Sequence, residues 1–170
     1  MPRLPISVIY MQMAYQIAKL SYAERRKVGC LIVKDEQIVS FGYNGTPHGF
    51  DNQCEDLHAV LPKGDEQILE LKEHGYCCDK HGGTWSKLVT KKEVLHAESN
   101  AITKLAKSTL TSKDSILYTT TSPCFDCAKL IIQAGVKEVY YCEEYIDVSG
   151  INLLEKAGIK THQVIVWNND

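Results

Sequence analysis

Two short stretches carry side chains whose types and spacing suit one reaction centre: His96-Ala97-Glu98 and Pro123-Cys124-Phe125-Asp126-Cys127. An imidazole and two thiols are ligands of the kind zinc takes. Three protein ligands leave a fourth position for water, which is the arrangement of catalytic zinc sites. Cysteines three apart can share one ion if their segment is helical, because such positions lie on one side of a turn. Zinc lowers the pKa of bound water to about 7, so hydroxide is available at neutral pH. Glu98 is an acid/base group beside the metal that is free not to bind it. It would take the water's proton, pass it to a ring nitrogen and then protonate a departing amine. These residues therefore spell hydrolytic replacement of an exocyclic amine by a carbonyl. The same residues also allow a closed site that ties two helices together, which needs a fourth protein ligand.

Either reading requires elements that bring the two stretches together. From His96 to Lys107 the apolar residues Ala97, Ala101, Ile102, Leu105 and Ala106 recur at helical spacing. Ser115 to Thr121 reads as a strand ending at Ser122-Pro123, and Cys124 to Ala134 as a second helix stopped by Gly135. Both stretches thus fall at helix starts, where unpaired N–H groups and a partial positive charge favour thiolate over thiol. Upstream, Ile6 to Leu20 reads as an amphipathic helix with Ile6, Ile9, Tyr10, Met13, Ile17 and Leu20 on its buried face and Met11 at the surface. Arg25, Arg26 and Lys27 lie in a polar connection. Val28–Lys34 and Gln37–Asn44 then form a hairpin about Asp35-Glu36. Downstream, a strand (Val136–Cys142), a helix (Val148–Ala157) and a strand (Ile159–Val164) follow. Strand–helix alternation implies parallel pairing with helices over the sheet. The expected fold is α/β, one three-layer α/β/α domain over residues 1–170. Its irregular insertion, at about 50–94, holds one short helix between Asp65 and His74.

The chain's 170 residues can bury a substantial core, and 44% hydrophobic with 24% charged residues is ordinary globular composition. A net charge of −2 offers no global attraction to DNA or RNA, which argues against a polynucleotide substrate. No apolar run is long enough to span a bilayer. The opening Met1-Pro-Arg-Leu-Pro lacks the apolar core of a signal peptide, so a cytoplasmic protein is expected. Seven cysteines, two of them in C-x-x-C, fit metal binding in a reducing compartment better than disulfides. Cys30 and Cys142, inside apolar strands, read as small core residues.

His-x-Glu followed by Pro-Cys-x-x-Cys is the signature of the zinc deaminases, and the resemblance reaches further. His96-Ala-Glu-Ser-Asn-Ala-Ile, Ser122-Pro-Cys-Phe-Asp-Cys-Ala-Lys, Gln133-Ala-Gly-Val-Lys-Glu-Val-Tyr-Tyr and Val28-Gly-Cys-Leu-Ile-Val resemble the deoxycytidylate deaminase family, especially its bacteriophage members. The resemblance implies the cytidine-deaminase fold, with a mixed five-stranded sheet, and conversion of dCMP to dUMP. It further implies a homohexamer activated by dCTP with Mg²⁺ and inhibited by dTTP. By the same resemblance His96, Cys124 and Cys127 hold Zn²⁺, and Glu98 shuttles protons. Asn44 contacts the nucleotide's sugar, and Gly42-Tyr43-Asn44-Gly45 binds the allosteric nucleotide. Arg26, with Arg25 and Lys27 beside it, offers a cation for phosphate, and Tyr145 is placed to close over the base.

One departure lies in the insertion. Some phage relatives hold a second zinc with a glutamate two residues before the catalytic histidine, where this chain has Val94. Cys54, Cys77, Cys78 and His81 are residue types that suit a different structural zinc. Two readings stay open beside dCMP deamination: the same chemistry on dCTP, and a non-catalytic zinc-stabilised regulator that binds nucleotides.

Overall fold

β1 (Gly29–Lys34) is buried along nearly its whole length, because it lies inside a sheet with helices on both faces. Successive strand residues point to opposite faces. Cys30 and Ile32 accordingly enter one core, together with Leu117, Ile131, Val139 and Leu154. Leu31 and Val33 enter the other, with Met11, Ala14 and Tyr118. This is a computed structural model, and it describes residues 3–79 and 83–166.

β1 pairs antiparallel with β2 (Gln37–Tyr43) and, on its other side, with β6 (Ile116–Thr121). β6, β7 (Glu138–Glu143) and β8 (Lys160–Gln163) run parallel, giving the order β2-β1-β6-β7-β8. The expected mixed five-stranded sheet is present. Its two parallel connections are α4 (Phe125–Gln133) and α5 (Ser149–Lys156), which lie with α3 (Ala97–Leu105) over the first core. α1 (Ile6–Ala18) covers the opposite face. None of the described helices is long and apolar enough to cross a membrane.

Two expectations need correction. The buried stripe of α1 is Met11, Ala14 and Ala18, while Met13, Ile6 and Leu20 are exposed. Beside Met11, small alanines face the sheet at Ala14 and Ala18 because the helix backbone approaches β1 at Gly29, where an added Cβ would lie 2.0 Å from the Ala14 carbonyl oxygen. The segment read as irregular, about 50–94, instead contains a second, antiparallel sheet. It is built from β3 (Glu55–Val60), β4 (Cys77–Cys78) and β5 (Trp85–Thr90) in the order β3-β5-β4, with α2 (Asp65–Glu73) between β3 and β4. Burial along β3 does not alternate; four of its six residues, Leu57 among them, are exposed. A strand without one apolar face leaves no period-2 signal to read.

Two other close approaches matter to the chemistry. A Cβ at Gly42 would sit 2.2 Å from the Ala97 carbonyl oxygen, at the start of α3, and one at Gly150 would sit 2.0 Å from that of Pro123, just before α4. Each glycine lets a neighbouring element press backbone-to-backbone against one half of the His96/Cys124 pair. Because the opposing atoms are backbone, they cannot rotate away. Gly42→Ala and Gly150→Ala should each destabilise the fold by about 3 kcal/mol, at the upper end of usual overpacking costs. Urea denaturation of the two variants against the parent protein measures this.

Candidate active site

His96 occupies the N-cap of α3 and Cys124 the N-cap of α4, both in extended conformation, while Cys127 lies one turn into α4. The two helix starts face each other. Cys124 Sγ lies 3.4 Å and Cys127 Sγ 3.5 Å from His96 Nδ1, and all three donor atoms fall within 4.8 Å of one another. Zn–N and Zn–S bonds of usual length at a tetrahedral angle put N and S about 3.6 Å apart. The donor set therefore fits one zinc ion without rearrangement. Among the described residues this is the one cluster of three or more His, Cys, Asp or Glu side chains with that convergence, and it includes no fourth protein ligand.

The electrostatics agree. The hydrogen bond from Cys127 holds the Cys124 thiol down to about 4, and the same bond pushes Cys127 well above the ordinary thiol range. Its hydrogen bond to Cys124 likewise raises His96. Donors that crowd one another and share protons are a set a divalent cation satisfies by displacing those protons.

Glu98, in the first turn of α3, is only 4% exposed. Burial raises its carboxyl above the ordinary range, against the opposing pull of His96. A carboxyl raised in this way picks up a proton and gives it back more readily near neutral pH than an exposed one.

The donors open onto a cleft of about 350 Å³, walled by Arg25, Arg26, Val28, Asn44, Glu55, Thr90, Val94, His96, Glu98, Ser122, Cys124, Tyr145 and Ile146. It therefore brings together His96, Cys124, Glu98, Asn44, Arg26 and Tyr145, with Cys127 buried behind them. Asn44 is held at both ends: Oδ1 accepts from Val28 N at 2.8 Å and Nδ2 donates to the Arg26 carbonyl at 2.8 Å. Tyr145 is anchored through its backbone N–H, which donates to the buried Ser122 Oγ at 2.7 Å. Gly42, Tyr43, Gly45 and Lys27 do not line the cleft. Glu55, Thr90 and Ser122 were not anticipated. The first two come from the second sheet, and Ser122 is legible only as the residue before a helix-starting Pro-Cys.

Cys30 is fully buried in the first core and Cys142 packs against the second, as expected of structural cysteines. Cys54 is buried, whereas Cys77 and Cys78 are exposed on β4; these three do not converge on one point. His81, the fourth member of that proposed set, lies outside the described residues.

A mixed sheet between helices, with a three-donor site and a buried acid at two facing helix starts, is the architecture of a zinc-site α/β/α protein. Residues 7–143 match the family model of the cytidine and deoxycytidylate deaminase zinc-binding region. The deoxycytidylate deaminase of Enterobacteria phage T2 is 33% identical, over 94% of this chain and 93% of its own length. That of phage T4 is 32% identical, over 91% and 87%. The crystal structure of dCMP deaminase from cyanophage S-TIM5 in complex with dCMP and dUMP superposes with a TM-score of 0.70 at 36% identity, covering 96% of this chain and all of that one. The chain belongs to the cytidine and deoxycytidylate deaminase family.

One zinc per chain is the expected stoichiometry. Cys127→Ala should lower it to about a tenth or less, because two donors on opposite helices lose the shared geometry. Metal analysis after gel filtration checks both values.

Proposed function

We propose that the protein hydrolyses dCMP to dUMP and ammonia. The observation that carries this is the buried acid Glu98 beside three converging zinc donors in a cleft that also holds arginines, in a chain about one-third identical to phage enzymes named for that reaction. His96, Cys124 and Cys127 are the residues that hold the metal. Zinc, when bound, supplies hydroxide at neutral pH by lowering the pKa of a water to about 7.

Glu98 accepts the proton released from that water and delivers it to N3 of the cytosine ring. The water oxygen adds at C4, so N3 takes up the π pair of the C4=N3 double bond, which becomes a single bond. Glu98 then carries the second proton of the water to the exocyclic amine. The C4–N bond breaks, ammonia leaves, and the carbonyl of dUMP remains. One water is consumed and no oxidant or reductant is needed. Burial suits Glu98 to both directions of transfer, since it narrows the gap between its acid and base forms at working pH. Tyr145, fixed at the cleft rim through Ser122, packs over the base. Asn44 presents toward the sugar from a position its two backbone bonds make rigid.

The Arg26 guanidinium supplies the charge for the phosphate. A planar fork suits two phosphate oxygens better than an ammonium does. We extend the reading to regulation: a homohexamer activated by dCTP with Mg²⁺ and inhibited by dTTP, acting in the cytoplasm. What supports a link from Gly42–Gly45 to the chemistry is the bonding of that segment. Gly45 exchanges two backbone hydrogen bonds with Leu95, the residue before His96, at 3.1 and 2.9 Å. The Tyr43 carbonyl accepts from Asn100 of α3 at 2.8 Å. A nucleotide that shifts this segment pulls on the start of the catalytic helix.

Purified zinc-loaded protein should release ammonia from dCMP. Absence of product in the presence of dCTP and Mg²⁺ overturns the reading. Glu98→Gln should keep one zinc and lose at least about a thousandfold in kcat, at the strong end of what a positioned acid/base group contributes plus the loss of its second transfer. Adding dCTP should lower the dCMP concentration for half-maximal rate and dTTP should raise it. A curve unmoved by either removes the regulatory extension and leaves the chemistry untouched.

A further inference from the structure

Glu55, at the start of β3, is a carboxylate on the wall of a cleft read as an anion site, and nothing in the chemistry above uses it. It is 5% exposed. We infer that Glu55 is a positioning residue for phosphate recognition. It clamps the bend at 24–28 so that Arg26 meets the nucleotide's phosphate with a fixed backbone and an unengaged guanidinium. This inference rests on the nucleotide reading given above.

Both carboxylate oxygens bond the bend: Oε2 accepts from Glu24 N at 3.2 Å and Oε1 from Arg25 N at 3.4 Å. The residue paired with Glu55 across the second sheet is Thr90, and its Oγ1 accepts from Arg25 Nη1 at 3.1 Å. One end of that sheet therefore holds both the backbone and the side chain of Arg25. From the opposite side, Asn44 takes the Arg26 carbonyl and the Val28 N–H, and Ser21 Oγ ties Ala23 N to the Asn44 carbonyl. Arg26 is thus flanked on both sides by tethered peptide groups. Its guanidinium makes no hydrogen bond or ion pair among the described residues, whereas the nearby Lys91 is already paired with Asp51 and Asp56.

An arginine whose backbone is already fixed has only its side chain left to order when it takes up an anion, and its unengaged fork need break no existing bond to do so. The geometry also resolves an apparent contradiction. A buried carboxylate beside a phosphate site would repel the ligand unless its charge is met by donors, and two successive peptide N–H groups meet it here. The second sheet then has a function: it is the outer bracket of the phosphate end of the cleft.

The test uses zinc-loaded protein and steady-state kinetics with dCMP. Turnover by the parent protein is measured first, and its absence overturns the nucleotide reading rather than this inference. Glu55→Gln keeps the volume but gives up one of the two acceptor oxygens, so KM for dCMP should rise about tenfold with kcat within twofold. In an Arg26→Ala background the same change should alter KM by less than twofold, because the group being positioned is gone. A lower KM in Glu55→Gln would mean that the carboxylate merely repels phosphate, and overturns the inference. So does an unchanged KM, a loss confined to kcat, or an effect that persists undiminished without Arg26. Thermal melting and zinc content establish folding. If Glu55→Gln does not fold, Thr90→Val takes its place. It should raise KM about threefold alone and less than 1.5-fold with Arg25→Ala, and full additivity overturns the bracket.

Discussion

Three donor atoms must stay within a few ångströms of one another although they belong to two helices separated by a strand, and the rest of the structure answers to that constraint. His96 enters α3 directly after the Gly45–Leu95 bridge, and Cys124 enters α4 directly after β6. Neither helix start can drift, because each is pressed by a backbone that comes closer than any side chain would allow, at Gly42 and at Gly150. Metal binding adds to this frame but does not have to create it. The sulfur–nitrogen separations already approximate a tetrahedral edge.

Holding a carboxyl group at 4% exposure is unfavourable unless something compensates the lost hydration. For Glu98 the compensation is partial: a backbone hydrogen bond at the start of the helix and a hydrogen bond with Cys127 pull against desolvation, and desolvation still dominates. The residual imbalance is the useful quantity. A fully compensated carboxylate would sit low and be a poor proton donor, and an uncompensated one would never ionise. Burial without full compensation raises the Glu98 carboxyl, which is the direction that makes it a better proton donor than an exposed carboxylate.

How much of this could be read beforehand depended on whether a residue's role leaves a periodic or spaced trace. The two ligand-bearing helix starts were legible, since His-x-Glu and Pro-Cys-x-x-Cys place their groups by short-range geometry alone. The β1–β2 hairpin was legible from its apolar runs and turn, and the parallel half from the alternation of β6, β7 and β8 with α4 and α5, whereas the five-stranded mixed sheet as a whole came from the family resemblance. The buried stripe of α1 was misjudged by favouring the bulkiest residues. Close packing against β1 instead selects Ala14 and Ala18, a choice made by the partner rather than by the helix. The second sheet was missed because β3 carries polar and exposed residues on both sides. Glu55 followed it into obscurity: a lone glutamate thirty residues from its backbone partners carries no local signal.

The division of labour that emerges is spatial. Groups that perform the bond chemistry sit on helix starts clamped to the five-stranded sheet. The other residues that wall the cleft sit on connections and on the second sheet: Asn44, Arg26 and Tyr145, with Glu55 and Thr90 holding the bend that carries Arg26. The first set tolerates almost no displacement, since proton transfer and metal ligation fail over fractions of an ångström. The second set is held by one or two hydrogen bonds each between segments distant in sequence, such as Arg25 N to Glu55 and Tyr145 N to Ser122. Bonds of that kind can be re-formed with other partners without disturbing the sheet. A chain built this way can change which nucleotide it accepts by altering the 21–28 bend, the second sheet or the 143–147 loop, while the deamination machinery stays as it is. On the proposed reading, substrate identity rests with these outer residues, and the metal site with the exchange of an amine for oxygen.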